Sequence, residues 1–319
     1  MLRVHYFEKE KYMSQNKTKK EHYVPRAYLQ SFSDNGQCQL YDKSTNKISC
    51  VNIKNILTKR YLYDFDKELL KEFENIDEQA IEKILGSTVD NFWNNIVKNI
   101  TENYEWFSPL KYSYHYLSVY KCVAIQLIRT PKGKQQLLEI YNEIYKKNID
   151  KKLENVVLAK EIINILNDEL KSSLLEVLLN EYGHICVGIN NTDVPFISAD
   201  NAIIVIPNIW DEHKKEYMIY YPITPCRCLL FHRRKKVERQ LESVLKDFYE
   251  GKLQIINAYD NLQEVNRREK EMMSIINPIT RELTQQDVLA LNTCLYKGAL
   301  RYIVYNPKTV RKKLWIDTF

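Results

Sequence analysis

The sequence predicts an α+β fold in which a central helical bundle packs on a small, mainly antiparallel sheet within a single domain. Three observations carry this. Strand-like segments stand at the front and in the third quarter of the chain, a stretch with helical periodicity lies between them, and 319 residues at 45% hydrophobic and 28% charged suffice for one proper core. Residues 1–20 read as a flexible basic leader, since their second half is polar and lacks periodicity, and Met13 offers a second start. Residues 21–319 read as the single domain.

The elements follow in order. "VPRAYLQSF" spaces Val24, Ala27, Tyr28, Leu29 and Phe32 as a short helix does, with Pro25 in its first turn. "CQLYDKSTNKISCVNI" reads as a hairpin around a polar tip, and "ILTKRYLYDFD" as a further short strand or an irregular packed segment. The helical middle, 66–182, opens with the stripe Leu70, Phe73, Ile76, Ala80, Ile81 and Ile84, which predicts one helix over 66–85 that stops at Gly86. Further helices are expected over 89–101, 109–129, 133–148 and 151–182, the last with a break. The strand-rich part, 183–232, comprises "HICVGIN", "FISADNAIIVIP", "EYMIYYPIT" and "RCLLFHR", separated by turn-rich segments. C-terminal helices are expected over 237–249, 257–274 and 284–304, the last with Thr284 as N-cap.

Charge and cysteine usage narrow the function classes. A net charge of +6 is modest but uneven, with basic clusters at 17–20, 232–236 and 311–313 and an acidic stretch over 64–90, so a nucleic-acid or nucleotide partner is open, as is a merely solvated surface. Seven cysteines without a regular framework, and no charged-then-apolar leader, point to a reducing cytoplasm. The apolar runs are too short to cross a bilayer, so no membrane partner is expected. Phosphate-loop, dinucleotide, zincin and serine-hydrolase signatures are all missing. "CRC" reads as two buried thiols, Cys226 and Cys228, on one face of a strand.

Four polar groups stand out. His22, beside Tyr23, Pro25 and Arg26, can shuttle protons or bind a metal, or it can simply cap the first helix. Arg129 ends a long helix in "QLIRTPKGK", with Gln126 and Thr130 on its face, and can hold a phosphate or answer the helix dipole. Asp200 and Asn201 interrupt an apolar strand pair, where they form a tight turn or place a carboxylate opposite His22 or Arg129. Asp77 lies in the acidic helix and adds a second carboxylate.

Taken together, "HYVPRAYLQSF", "QLYDK", "RTP", "FISADN", "PITP", and a late helix with "LN" followed by "ALRYIVY" resemble the bacterial domain-of-unknown-function family 4238, over about 21–305. The resemblance implies a single intracellular domain and assigns no activity. Its motif positions here are His22, Tyr23, Pro25, Tyr28, Leu29, Phe32, Arg129, Thr130, Pro131, Asp200, Asn201, Pro222 and Asn292. Two departures are Ala202 where relatives carry proline, and Asp77 where they carry glutamate.

The resulting expectation is a cytoplasmic hydrolase acting on nucleic acid or a nucleotide, such as a nuclease-like toxin or phage-defence effector. His22, Asp200 and Arg129 would be catalytic, Arg26, Thr130, Asn201 and Gln126 would bind substrate, and Asp200 with Asp77 would hold Mg²⁺ or Mn²⁺. The rival expectation is a non-catalytic module that recognises protein or nucleic acid through Arg129 and the aromatic front of Tyr23, Tyr28, Phe32 and Tyr41.

Overall fold

The computed structural model describes residues 20–72, 77–103, 114–167, 172–211, 216–233 and 280–308. The fold is α+β with mostly antiparallel sheets. The expected helices at 237–249 and 257–274, the leader and the cluster at 311–313 lie outside the described residues, as does most of the cluster at 232–236.

A strand the sequence did not announce begins the described chain: β1 (Lys20–His22) pairs antiparallel with β4 (Thr58–Arg60). Between them come α1 (Arg26–Gln30) and the hairpin β2 (Gln37–Asp42) and β3 (Lys47–Asn52). The expected helix over 66–85 is instead two pieces, α2 (Lys67–Glu72) and α3 (Ala80–Ile84). Residues 77–79 turn because Asp77 accepts the Gln79 N–H at 2.9 Å, and the Glu78 carbonyl is taken by the Phe65 N–H at 3.2 Å. Gly86 does not stop the chain either. It lies in a π-helical turn, Leu85–Asp90, that runs straight into α4 (Asn91–Glu102), and nothing crowds the place where its Cβ would be.

Next come α5 (Tyr114–Arg129), α6 (Pro131–Tyr145), α7 (Glu154–Leu166) and α8 (Ser173–Glu181). The corner between α5 and α6 follows from "RTPKG". Pro131 cannot continue α5's hydrogen bonding and opens α6, the Thr130 hydroxyl accepts the Gly133 N–H at 3.0 Å, and a Cβ at Gly133 would sit 1.7 Å from the Leu127 carbonyl oxygen. The break expected between 151 and 182 is present, with Asn167 extended after α7.

The strand-rich part supplies two sheets. One has five strands in the order β10 (Thr280–Leu283), β5 (His184–Asn190), β9 (Arg227–His232), β8 (Tyr217–Thr224), β7 (Ile204–Pro207), with β10 parallel to β5 and the rest antiparallel. Alternate residues of β8 enter different cores: Ile219 and Tyr221 join the cluster around α1, α4, α5, α7 and α8, while Met218 and Tyr220 join the cluster under α9 (Gln285–Gly298). Both faces are buried, which explains why these strands read as unbroken apolar runs. Cys228 is buried here, but Cys226 is exposed, because β9 begins at Arg227 and Cys226 belongs to the turn before it.

The other sheet has the order β3, β2, β11 (Tyr302–Tyr305), β6 (Ser198–Ala199). "FISADNAIIVIP" therefore divides between sheets, β6 in this one and β7 in the other. The expected helix over 284–304 ends at Gly298, and "YIVY" becomes the strand β11 between β2 and β6. Its start is as expected, with Thr284 and Asp287 forming a reciprocal capping box.

Candidate functional site

Most of the motif residues turn out to hold these elements together. Asp200 accepts the N–H groups of Leu300, Arg301 and Tyr302 at 2.9, 2.7 and 3.0 Å, so its carboxylate is consumed by the turn between α9 and β11. Asn201 donates to the Gly298 carbonyl at 3.4 Å beside it. Lys43, from "QLYDK", donates to the Tyr296 and Ala299 carbonyls at the end of α9, both at 2.8 Å, and Arg301 grips Asp42 with contacts of 2.7 to 3.1 Å. Asn292 holds the chain before β6, donating to the Pro195 carbonyl at 2.9 Å and accepting the Ile197 N–H at 3.3 Å. Tyr28 donates to the Pro222 carbonyl at 2.7 Å and bonds Ser198 Oγ at 2.9 Å, which links the first motif to "PITP" and "FISADN".

These contacts correct several expectations. Asp200 and Asp77 do not form a metal pair: Asp77 is ion-paired with Lys83 and caps α3, and Asp200 is held by three backbone N–H groups. Among the described residues no three His, Cys, Asp or Glu groups are placed to hold a metal ion. Thr130 is the cap of α6, with its hydroxyl used. The aromatic front is not a surface, since Tyr28 and Phe32 are wholly buried and Tyr23 and Tyr41 nearly so. Arg26 is exposed on α1.

His22, Gln126 and Arg129 do meet, through the backbone of β1. Arg129 is buried, and its guanidinium donates to Asp90 Oδ1 at 2.7 Å and to the His22 carbonyl at 2.7 Å. Gln126, one turn earlier, donates to the Tyr23 carbonyl at 3.0 Å. The His22 ring lies 3.2 Å from the Ile53 carbonyl, and its pKa is lowered chiefly by burial, with Arg129 and Arg26 adding to the shift. Arg129 is thus an interior ion-pair partner, with both terminal nitrogens engaged. Its pKa is raised, because Asp90 and then Tyr63 more than offset the cost of burying the charge.

Around this pair the fold assembles carboxylates that the sequence had not singled out. Glu21, in β1 beside His22, is wholly buried, and one of its oxygens accepts the Tyr63 N–H at 2.8 Å. Asp64, the next residue along, is a side-chain hydrogen-bonding neighbour of Glu21, an arrangement that needs a proton between the two carboxyls. Burial pushes the Glu21 carboxyl up to about 8, against the pull of the Tyr63 N–H and with help from Asp64 and Glu82. Burial likewise pushes Glu82, in α3, up to about 7, with Arg129 opposing and Asp90 and Asp64 assisting. Asp90 is delivered by the π-helical turn and Tyr63 closes the set by donating to the Arg129 carbonyl at 2.8 Å. The one available signal was a carboxylate adjoining apolar stripe positions, as Glu82 adjoins Ile81 and Glu21 adjoins the first strand.

Asp64 also faces outward. It lines an open cleft of about 680 Å³, together with Lys59, Tyr61, Leu62, Lys134 and Asn155. Asn155 organises this wall: it donates to the Asp64 carbonyl at 2.5 Å and to that of Leu62 at 3.3 Å, and accepts from Lys134 Nζ at 2.8 Å. The arrangement is a cleft wall bearing one carboxyl, backed by a buried acid that stays protonated at neutral pH, which is the raw material of acid–base chemistry.

Comparison with known proteins adds the family and nothing further. No curated protein matches the chain, and no solved structure matches it. The family model described as protein of unknown function DUF4238 matches residues 20–309, and the chain belongs to that family.

Proposed function

We propose that this protein is a hydrolase directed at a nucleotide or nucleic acid, with Asp64 as the group that takes the proton from attacking water and Glu21 as the proton store behind it. The observation that carries this reading is the double membership of Asp64, which belongs both to the cleft wall and to the buried carboxyl cluster. Arg129, Asp90 and Tyr63 act as positioning residues, since they hold β1 and the 63–64 backbone without lining the cleft. His22 and Asp200, which the sequence put forward as catalytic, have their nearest partners in backbone groups. The cytoplasmic setting rests on seven free cysteines.

The test is cleavage of a panel of nucleotides, RNA, single-stranded and duplex DNA, with and without Mg²⁺ or Mn²⁺. Asp64→Asn should lower the rate at least 100-fold while the thermal melt stays close to wild type, on the scale of a lost general base. A panel with no turnover, or an Asp64→Asn variant that cuts at the wild-type rate, removes the reading.

A further inference from the structure

We infer that the cleft beside Asp64 holds a single phosphate group of a small ligand between Lys59 and Lys134, so that its substrate is of mononucleotide size and not a polymer. The inference rests on the hydrolase reading only in taking the cleft's ligand to be the substrate.

The seat begins with Lys134, in the first turn of the 15-residue helix α6, at the end where the helix dipole is positive. Its side chain is only 13% exposed and is held by Asn155 at 2.8 Å and Glu154 at 3.2 Å. An ammonium has three N–H donors, so one is left over. Because Asn155 also grips the Asp64 backbone, the ammonium and the candidate base share one rigid support.

Lys59, from the edge of β4, lies close enough that its charge opposes that of Lys134. Burial and this repulsion lower the Lys134 pKa, with Glu154 offsetting part of the effect. Lys59 has no carboxylate partner among the described residues. Two neighbouring ammonium groups, one of them half-desolvated, are relieved by an anion placed between them, and a phosphate dianion is the anion that matches two cations.

The rest of the wall limits the ligand's length. Asp66, Glu68, Asp150 and Glu154 also line the cleft, and Glu68 already engages Lys152 at 3.7 Å. Each further phosphate of a polynucleotide would meet one of these carboxylates instead of a lysine. A volume of about 680 Å³ suits a ligand with one base, one sugar and one phosphate.

The test is calorimetric titration of the full chain with inorganic phosphate, adenosine monophosphate, and a nine-nucleotide RNA lacking terminal phosphates. Asp64→Asn serves as the host wherever turnover must be absent. The expected result is that phosphate and the mononucleotide bind, that Lys59→Gln and Lys134→Gln each weaken both at least tenfold, and that the RNA binds more weakly than the mononucleotide. Lys59 is exposed, so its variant keeps the test valid even where Lys134→Gln lowers stability. Undetectable binding of both phosphate and the mononucleotide at millimolar concentration, equal binding by the lysine variants, or tighter binding of the RNA overturns the inference. Binding that survives Asp64→Asn without any turnover in the wild type overturns the hydrolase reading alone.

Discussion

Arg129 Nη1 lies 2.7 Å from Asp90 Oδ1, where the arginine side chain has no solvent exposure, so the last residue of α5 is tied to the last residue of the π-helical turn. The other terminal nitrogen reaches the carbonyl of His22. One guanidinium thereby joins three segments far apart in the chain and fixes the frame in which Glu21, Asp64 and Glu82 meet.

Removing that guanidinium leaves Asp90 facing an interior without its counter-charge. Arg129→Ala should cost about 3–5 kcal/mol, the scale of a broken buried ion pair. Urea denaturation followed by circular dichroism measures it. A loss below about 1 kcal/mol would show that water reaches Asp90 readily and that the pair is not the clamp described.

The buried carboxyls make stability depend on pH. Glu21 titrates near 8 in the folded chain and near 4.5 when unfolded, so its contribution is fully present below about 4.5 and is lost as pH rises through about 8. Glu82, near 7 when folded, acts in the same direction. The melting temperature should therefore fall between pH 5 and 8.5. Glu21→Gln, which stays neutral, should flatten that decline and at pH 8.5 be more stable than wild type by roughly 1–2 kcal/mol. A wild-type curve that rises over this range contradicts a buried protonated Glu21.

Asp200 separates architecture from chemistry. Asp200→Ala strips acceptors from three backbone N–H groups, each worth ~1–3 kcal/mol when left unsatisfied, so the variant should be strongly destabilised or fail to accumulate. Asp200→Asn retains one acceptor oxygen and should recover part of the loss. Its turnover per folded molecule should equal wild type, and a drop of 100-fold in a folded Asp200→Asn protein would return Asp200 to the reaction.

Tyr28 offers a milder test of the motif contacts. Tyr28→Phe keeps the ring among Phe32, Trp93 and Tyr221 but removes the hydroxyl from the Pro222 carbonyl and Ser198 Oγ. A loss of ~1–2 kcal/mol with ligand binding unchanged is expected. Weakened ligand binding without a stability change would instead revive a recognition role for the aromatic front.

Periodicity and local chemistry by themselves determined the α+β class, the hairpin after α1, the helical middle, the capped corner at "RTPKG" and the start of α9 at Thr284. Each depends on neighbours within a few residues, so one chain suffices to read it. The same local rules went astray where long-range contacts won. The stripe over 66–85 is genuine, but Asp77 turns the chain within it; Gly86 passes through a π turn because α4 continues the core behind it; and "YIVY" leaves the helix because β2 and β6 offer a place between them.

The motif residues were visible as outliers, yet their partners were not. Asp200 and Leu300 are a hundred positions apart, as are His22 and Arg129, and no local pattern records which buried polar group another will satisfy. Tertiary structure alone decided that Asp200 serves a turn, that Arg129 serves Asp90, and that Glu21 and Asp64 stand together at a cleft. The physical reason is that a buried charge or N–H must find a complementary group wherever the packed chain brings one, and sequence distance does not enter that balance.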